Sequence, residues 1–367
     1  MNWIKLISIN LVVLIVLLLL LEGGARIVWT LKTCMAGTCN YSQLTHLKVR
    51  KLFEDRQYAF IKPHDQLGHV PTPGFSQIIN IRNWSNVKIS IDENGYRNND
   101  NGIIGTPSIL AVGDSFTFGD QVSNHDTWPS CLERSLNKGV TNAGVSGYGA
   151  VQAVKRAEMI LKTHHYNTVI LSIYIGDDFH RDRLDYFFGY PSPSVITNQG
   201  MIEWAPLPSQ NVQGSKWNPT QLSPTLTFLS YAWRYSTVAA TLIDRISAMK
   251  NITINWTGQH LMRKNPNAAS IDAIINFTFE NLSRLPVTEK YVLFQYVDTD
   301  LSHPDGIKTI RHMATNAAQH HQIKILDSFD YLQTASEASS SPIWNGHHTA
   351  YGNQLVCQFI AENMKSK

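Results

Sequence analysis

The chain has 367 residues, enough for one large domain or two smaller ones and far too many for a stapled mini-protein. Its 31 Lys and Arg against 28 Asp and Glu leave a net charge of +3, and the longest basic run, 48–51, holds three cations, which excludes a dedicated nucleic-acid footprint. Charged residues make up only 16% and aromatics reach 10%, so most of the length reads as a packed globule rather than a disordered chain.

Residues 6–21 read LISINLVVLIVLLLLL, sixteen positions without a charge, and Trp3 and Ile4 extend the run. That is at the short end of the roughly 17 to 25 residues a spanning helix needs. The flank Glu22-Gly23-Gly24-Ala25-Arg26 offers no small-x-small cleavage site, and Trp29 suits a membrane interface. The expectation is an uncleaved N-terminal transmembrane helix over 1–30 rather than a removed signal peptide. Lys5 on one side nearly balances Arg26 and Lys32 on the other, but a first apolar segment followed by a long domain usually exports that domain. The expected location is therefore single-pass in a membrane, with the body on the exported, periplasmic or extracellular side.

Four cysteines remain. Cys34 and Cys39 are spaced to close a small disulfide loop in an oxidising space, while zinc would need further ligands that the neighbourhood lacks. Cys131 and Cys357 fall on apolar helix faces and read as buried small hydrophobes.

Residues 31–106 carry Pro63, Gly68, Pro71, Pro73 and Gly74 around short alternating pieces such as 87–91, the texture of a stalk and a small β-rich lead-in. From 107 to 367 short apolar runs at 108–112, 141–143, 168–174, 291–297 and 323–326 alternate with helical patterns at 150–163, 307–320 and 349–364. Strand and helix in alternation predict a three-layer α/β/α sandwich with a central, mostly parallel sheet. The rhythm breaks at 179–265, which is too long for one crossover and rich in Tyr, Phe and Trp. This insertion reads as a lid or groove wall, or equally as a subdomain with its own aromatic core.

Gly113-Asp114-Ser115 follows the first strand of this region, placing Ser115 at the carboxyl end of the sheet where a helix should begin. There a serine can act as nucleophile with its own N–H facing a developing oxyanion, or it can simply cap the helix. Further blocks follow in order: Asn142 to Gly149 after the second strand, Ile175-Gly176-Asp177-Asp178 after the third, and His347 five residues before Gly352 at the head of the last helix. This set resembles the SGNH hydrolases, the GDSL-type esterase and lipase superfamily, over about 107–367 apart from the insertion. Asn94-Gly95-Tyr96-Arg97 is similar to the lead-in of membrane-anchored bacterial members. The resemblance implies an SGNH or flavodoxin-like fold, Ser115 as nucleophile, His347 as base, and oxyanion donors from Ser115, Gly147 and the position of Asp177.

Two positions depart from the pattern. The family's Asn is Asp177 here, and an ionised carboxylate has no donor for an oxyanion. The Asp usual before the His is replaced by Trp344 and Asn345, so the imidazole Nδ1–H must find a carbonyl near Trp344 or the Asn345 side chain. Asp300-Leu301-Ser302-His303-Pro304 matches the family's Asp-x-x-His-Pro literally, but it precedes a further helix and strand. His347 is therefore the expected base, with His348 and His303 as alternatives. His164-His165 and His320-His321 read as structural pairs at helix ends.

No cofactor or metal motif is present. The leading expectation is a membrane-tethered, exported serine hydrolase that cleaves acyl esters, O-acetyl esters among them, on a glycan or lipid. The rivals are an O-acyltransferase working on a glycan through the same acyl-enzyme, and a glycan-binding or assembly protein that kept the fold and lost the reaction.

Overall fold

The computed structural model describes residues 3–35, 60–81, 84–101, 106–187, 190–207, 238 and 262–365. The chain divides into two units, Met1–Tyr58 with Ser215–His260, and Ala59–Gly214 with Leu261–Lys367. In the first, helix α1 (Trp3–Met35) contains Asn10–Val28, the one described stretch long and apolar enough to cross a membrane. Its leucines and valines are exposed on every side, while Glu22 and Arg26 pair at 2.8 Å one turn apart. Cys39, and with it the expected bridge to Cys34, lies outside the described residues.

The second unit opens with two antiparallel hairpins, β1 (Ile61–His64) with β2 (Gly68–Pro71) and β3 (Ser76–Ile81) with β4 (Trp84–Ser90). The central sheet begins with β5 (Ile109–Val112), followed by the short helix α2 (Ser115–Phe118), helix α3 (Trp128–Leu136), β6 (Val140–Asn142), α4 (Ala150–Leu161) and β7 (Thr168–Tyr174). The first part of the expected insertion supplies α5 (Asp178–Arg181) and strands β8 (Leu184–Phe187), β9 (Tyr190–Pro191), β10 (Val195–Asn198) and β11 (Met201–Trp204). Strand β12 (Met262–Lys264) returns to pair antiparallel with β8. Helix α6 (Ile271–Ser283), β13 (Glu289–Gln295), α7 (Asp298–Ser302), α8 (Asp305–His320), β14 (Lys324–Asp327) and α9 (Phe329–Ala338) follow. The hairpin of β15 (Trp344–Asn345) and β16 (His347–His348) then leads into α10 (Ala350–Lys365).

The five sheet strands lie in the order β14-β13-β7-β5-β6, and every neighbouring pair is parallel. Helices α4, α6 and α8 pack together, and α3, α9 and α10 form a second group, so the sheet has a helical layer on each face. Burial on both sides explains why β5 and β7 read as unbroken apolar runs rather than alternating ones. Each fully buried Leu or Ile among Leu110, Ile170, Leu171 and Ile173 contributes roughly 1.5–3 kcal/mol.

The chain runs from β5 outward to β6 and then back past β5 to β7, so the connections leaving the adjacent strands β5 and β7 diverge at their carboxyl ends. That divergence opens the crevice where ligands bind in parallel sheets.

Cys131 on α3 and Cys357 on α10 form a disulfide with Cα atoms 5.9 Å apart. The expectation of two independent buried hydrophobes is corrected: both do lie on packed helix faces, but those faces meet each other.

Candidate active site

Ser115 is the first residue of α2, directly beyond β5, and is buried. Gly113 makes the turn possible, since a Cβ there would lie 2.3 Å from Thr117 Oγ1 and 2.6 Å from the Ser172 carbonyl oxygen. Asp114 caps the helix: its Oδ1 accepts the Phe116 N–H at 2.9 Å, while Oδ2 lies 3.2 Å from Ser115 Oγ.

His347 reaches the same point from the opposite end of the chain. Its Nε2 lies 2.8 Å from Ser115 Oγ across 232 residues of sequence. The β15–β16 hairpin presents the ring, and the backbone N–H of His347 donates to Gln121 Oε1 at 3.2 Å. Phe116 packs against it with ring centroids 5.1 Å apart. Its Nδ1 is buried without a hydrogen-bond partner among the described residues. Neither expected supporter serves, since neither a carbonyl near Trp344 nor the exposed Asn345 side chain bonds this nitrogen.

The alternative bases lie elsewhere. His348 is buried with Nε2 3.2 Å from the Tyr296 carbonyl, and desolvation lowers its pKa to about 4. His303 is exposed at the end of α7, its Nδ1 3.0 Å from Ser302 Oγ. His164 and His165 follow α4, His320 is the last residue of α8 and His321 caps it.

Gly147 sits in the loop after β6 at φ +85°, a conformation that side chains disfavour. The turn before it is anchored on both sides. Asp120 Oδ1 accepts the Ser146 hydroxyl at 2.5 Å, His69 Nε2 lies 2.9 Å from the Ser146 carbonyl, and Tyr148 donates its hydroxyl to the His69 carbonyl at 2.6 Å. The N–H groups of Ser115 and Gly147 donate to no group among the described residues.

Asp177 is held by an ion pair. Its Oδ2 accepts from Arg181 Nε at 2.7 Å one helical turn on, and its side chain is 46% exposed. The same guanidinium reaches Asp114 Oδ2 at 3.1 Å and Asp178 Oδ1 at 3.2 Å, joining carboxylates from the ends of β5 and β7. Burial, reinforced by the charge of Asp114, pushes the Asp178 carboxyl well above the usual range.

Sequence reasoning missed Arg181, whose i,i+4 spacing from Asp177 was the available signal. It also missed Arg97, a buried guanidinium from the lead-in. Arg97 donates to the carbonyls of Phe118 (2.9 Å), Gly119 (2.8 Å) and Val122 (2.6 Å), so it holds the segment that follows Ser115.

No protein-family model matches the sequence, and no curated protein matches it. Solved structures do. The chain is similar to a lipolytic protein of the G-D-S-L family from Veillonella parvula at 15% identity, covering 71% of this chain and 100% of that one with a TM-score of 0.39. A second G-D-S-L lipolytic protein, from Desulfitobacterium hafniense, matches at 14% identity over 70% of this chain and 99% of that one with a TM-score of 0.34. A catalytic mutant of Axe2, an acetylxylan esterase from Geobacillus stearothermophilus, matches at 11% identity over 70% of this chain and 94% of that one with a TM-score of 0.38.

Proposed function

We propose that this protein is a serine ester hydrolase of the SGNH type, and the observation that carries the reading is the 2.8 Å contact between Ser115 Oγ and His347 Nε2 at the sheet's crevice. In this reading His347 takes the Ser115 proton as Oγ attacks an acyl ester, and then returns it to the leaving alcohol. Water resolves the acyl-enzyme by the reverse route. The Ser115 and Gly147 N–H groups, uncommitted to other acceptors among the described residues, receive the oxyanion. Asp177 takes no part in that hole, its charge being met by Arg181.

The domain acts tethered and exported: α1 is long and apolar enough to anchor it, and a disulfide between Cys131 and Cys357 is favoured in an oxidising compartment. The second reading, a binding or assembly protein that has lost the reaction, is favoured by the unpartnered His347 Nδ1.

Hydrolysis of a short-chain chromogenic ester by the full-length chain in detergent, beside its Ser115→Ala version, separates the two. A fall of at least about 10³-fold is expected. Equal rates would leave the binding reading standing.

A further inference from the structure

Asp120 lies just beyond α2, where its backbone N–H donates to the Ser115 carbonyl at 3.0 Å. Its side chain is buried, and its 2.5 Å contact with Ser146 Oγ is in the range of a hydroxyl donating to an ionised carboxylate. Through Ser146 it grips the residue before Gly147, whose N–H is the second candidate oxyanion donor. The next residue, Gln121, accepts the backbone N–H of His347, so the 120–121 turn touches nucleophile helix, oxyanion loop and base together.

His347 needs such a charge. An imidazolium formed during attack is stabilised by a nearby negative group, yet Nδ1 has no acceptor of its own. We infer that Asp120 is the positioning residue of this site, fixing the Ser146–Gly147 turn and supplying the negative charge that faces the His347 imidazolium. The inference rests on reading Ser115 and His347 as a reacting pair. The charged groups that act on the Asp120 carboxyl are His347, Arg97 and Asp114. Burial pushes the Asp120 carboxyl up, and the charge of His347 opposes that more strongly than Arg97 does.

The test uses the full-length chain in detergent. Asp120→Asn keeps the size and an acceptor for Ser146 while removing the charge; Ser146→Ala keeps the charge and removes the tie. In Asp120→Asn the His347 imidazole titration, followed by NMR and assigned with His347→Gln, should fall by roughly one pH unit. The acid limb of kcat/KM should move with it, and kcat should drop about tenfold with KM within about twofold. Ser146→Ala should lower kcat and leave the titration in place. A folded Asp120→Asn protein whose imidazole titrates as in the wild type overturns the inference. Should that variant not fold, Asp120→Ser puts the same question with a smaller neutral side chain. If ester hydrolysis proves independent of Ser115, the hydrolase reading fails while the titration still decides whether Asp120 acts on His347.

Discussion

Removing the Cys131–Cys357 bridge should weaken the sheet-bearing unit about as much as a large core truncation. The two cysteines are 226 residues apart, and the chain-entropy relation for a loop of that length gives about 5 kcal/mol at 25 °C; native bridges usually deliver about 2–5. Against a typical total of roughly 5–15 kcal/mol that is a third or more of the stability. At about 2–4 °C per kcal/mol for a body of this size, a Cys131→Ala/Cys357→Ala double variant should melt about 5–20 °C lower. The assay is near-ultraviolet circular dichroism of the full-length chain in detergent against temperature. Wild type held in reductant should approach the variant's midpoint. A midpoint within about 2 °C of wild type would refute the reasoning, because a closed loop of this span cannot be lost without enlarging the unfolded ensemble.

Asp177→Asn should leave ester hydrolysis within about threefold of wild type, since the side chain it replaces is held by Arg181 and supplies no oxyanion donor in the proposed mechanism. Complete loss of activity in the folded variant, measured as kcat on a short-chain ester, would sink that argument. Acid sensitivity is the other expectation: desolvation lowers both His69 and His348 to about 4, against about 6.5 in the unfolded chain. The unfolded state therefore binds the protons first. Stability is fully present above pH 6.5, and roughly 3 kcal/mol per histidine is lost as pH falls from 6.5 to about 4. Asp182, which burial pushes up to about 7, works in the opposite direction over about pH 4 to 7. Urea unfolding of His348→Asn at pH 5 and pH 7 isolates one histidine, and its stability should change less between the two than the wild type's. An unchanged difference would contradict the assignment.

What the sequence revealed follows from how far each determinant reaches along the chain. Strands buried on both faces write themselves as apolar runs, so the run at 168–174 became β7 (Thr168–Tyr174). The run at 291–297 became β13 (Glu289–Gln295), starting two residues earlier because Glu289 and Lys290 continue the pairing with Thr168 and Val169 despite their polarity. Ser115 and His347 were legible because each sits where a strand or hairpin hands over to a helix. The disulfide was not, since nothing near Cys131 signals that α3 lies against α10. Arg97 and Asp120 were missed for a similar reason: their partners, the carbonyls of Phe118, Gly119 and Val122 and the Ser146 hydroxyl, belong to other segments.

The carboxylate at 177 looked like the sharpest conflict in the sequence, and the structure recasts it as a matter of charge balance. One guanidinium, Arg181, meets Asp114, Asp177 and Asp178 at 2.7 to 3.2 Å. Three ionised carboxylates there would leave two uncompensated charges near Ser115, which burial disfavours, and the raised pKa of Asp178 is the response. Three carboxyl groups thus share one cation. An oxyanion forming at Ser115 would approach a cluster in which acidic groups outnumber cations. On the proposed mechanism its stabilisation comes from the N–H groups of Ser115 and Gly147. This is also why the anchoring of Gly147 through Ser146 matters more than it would if an Asn side chain supplied a third donor.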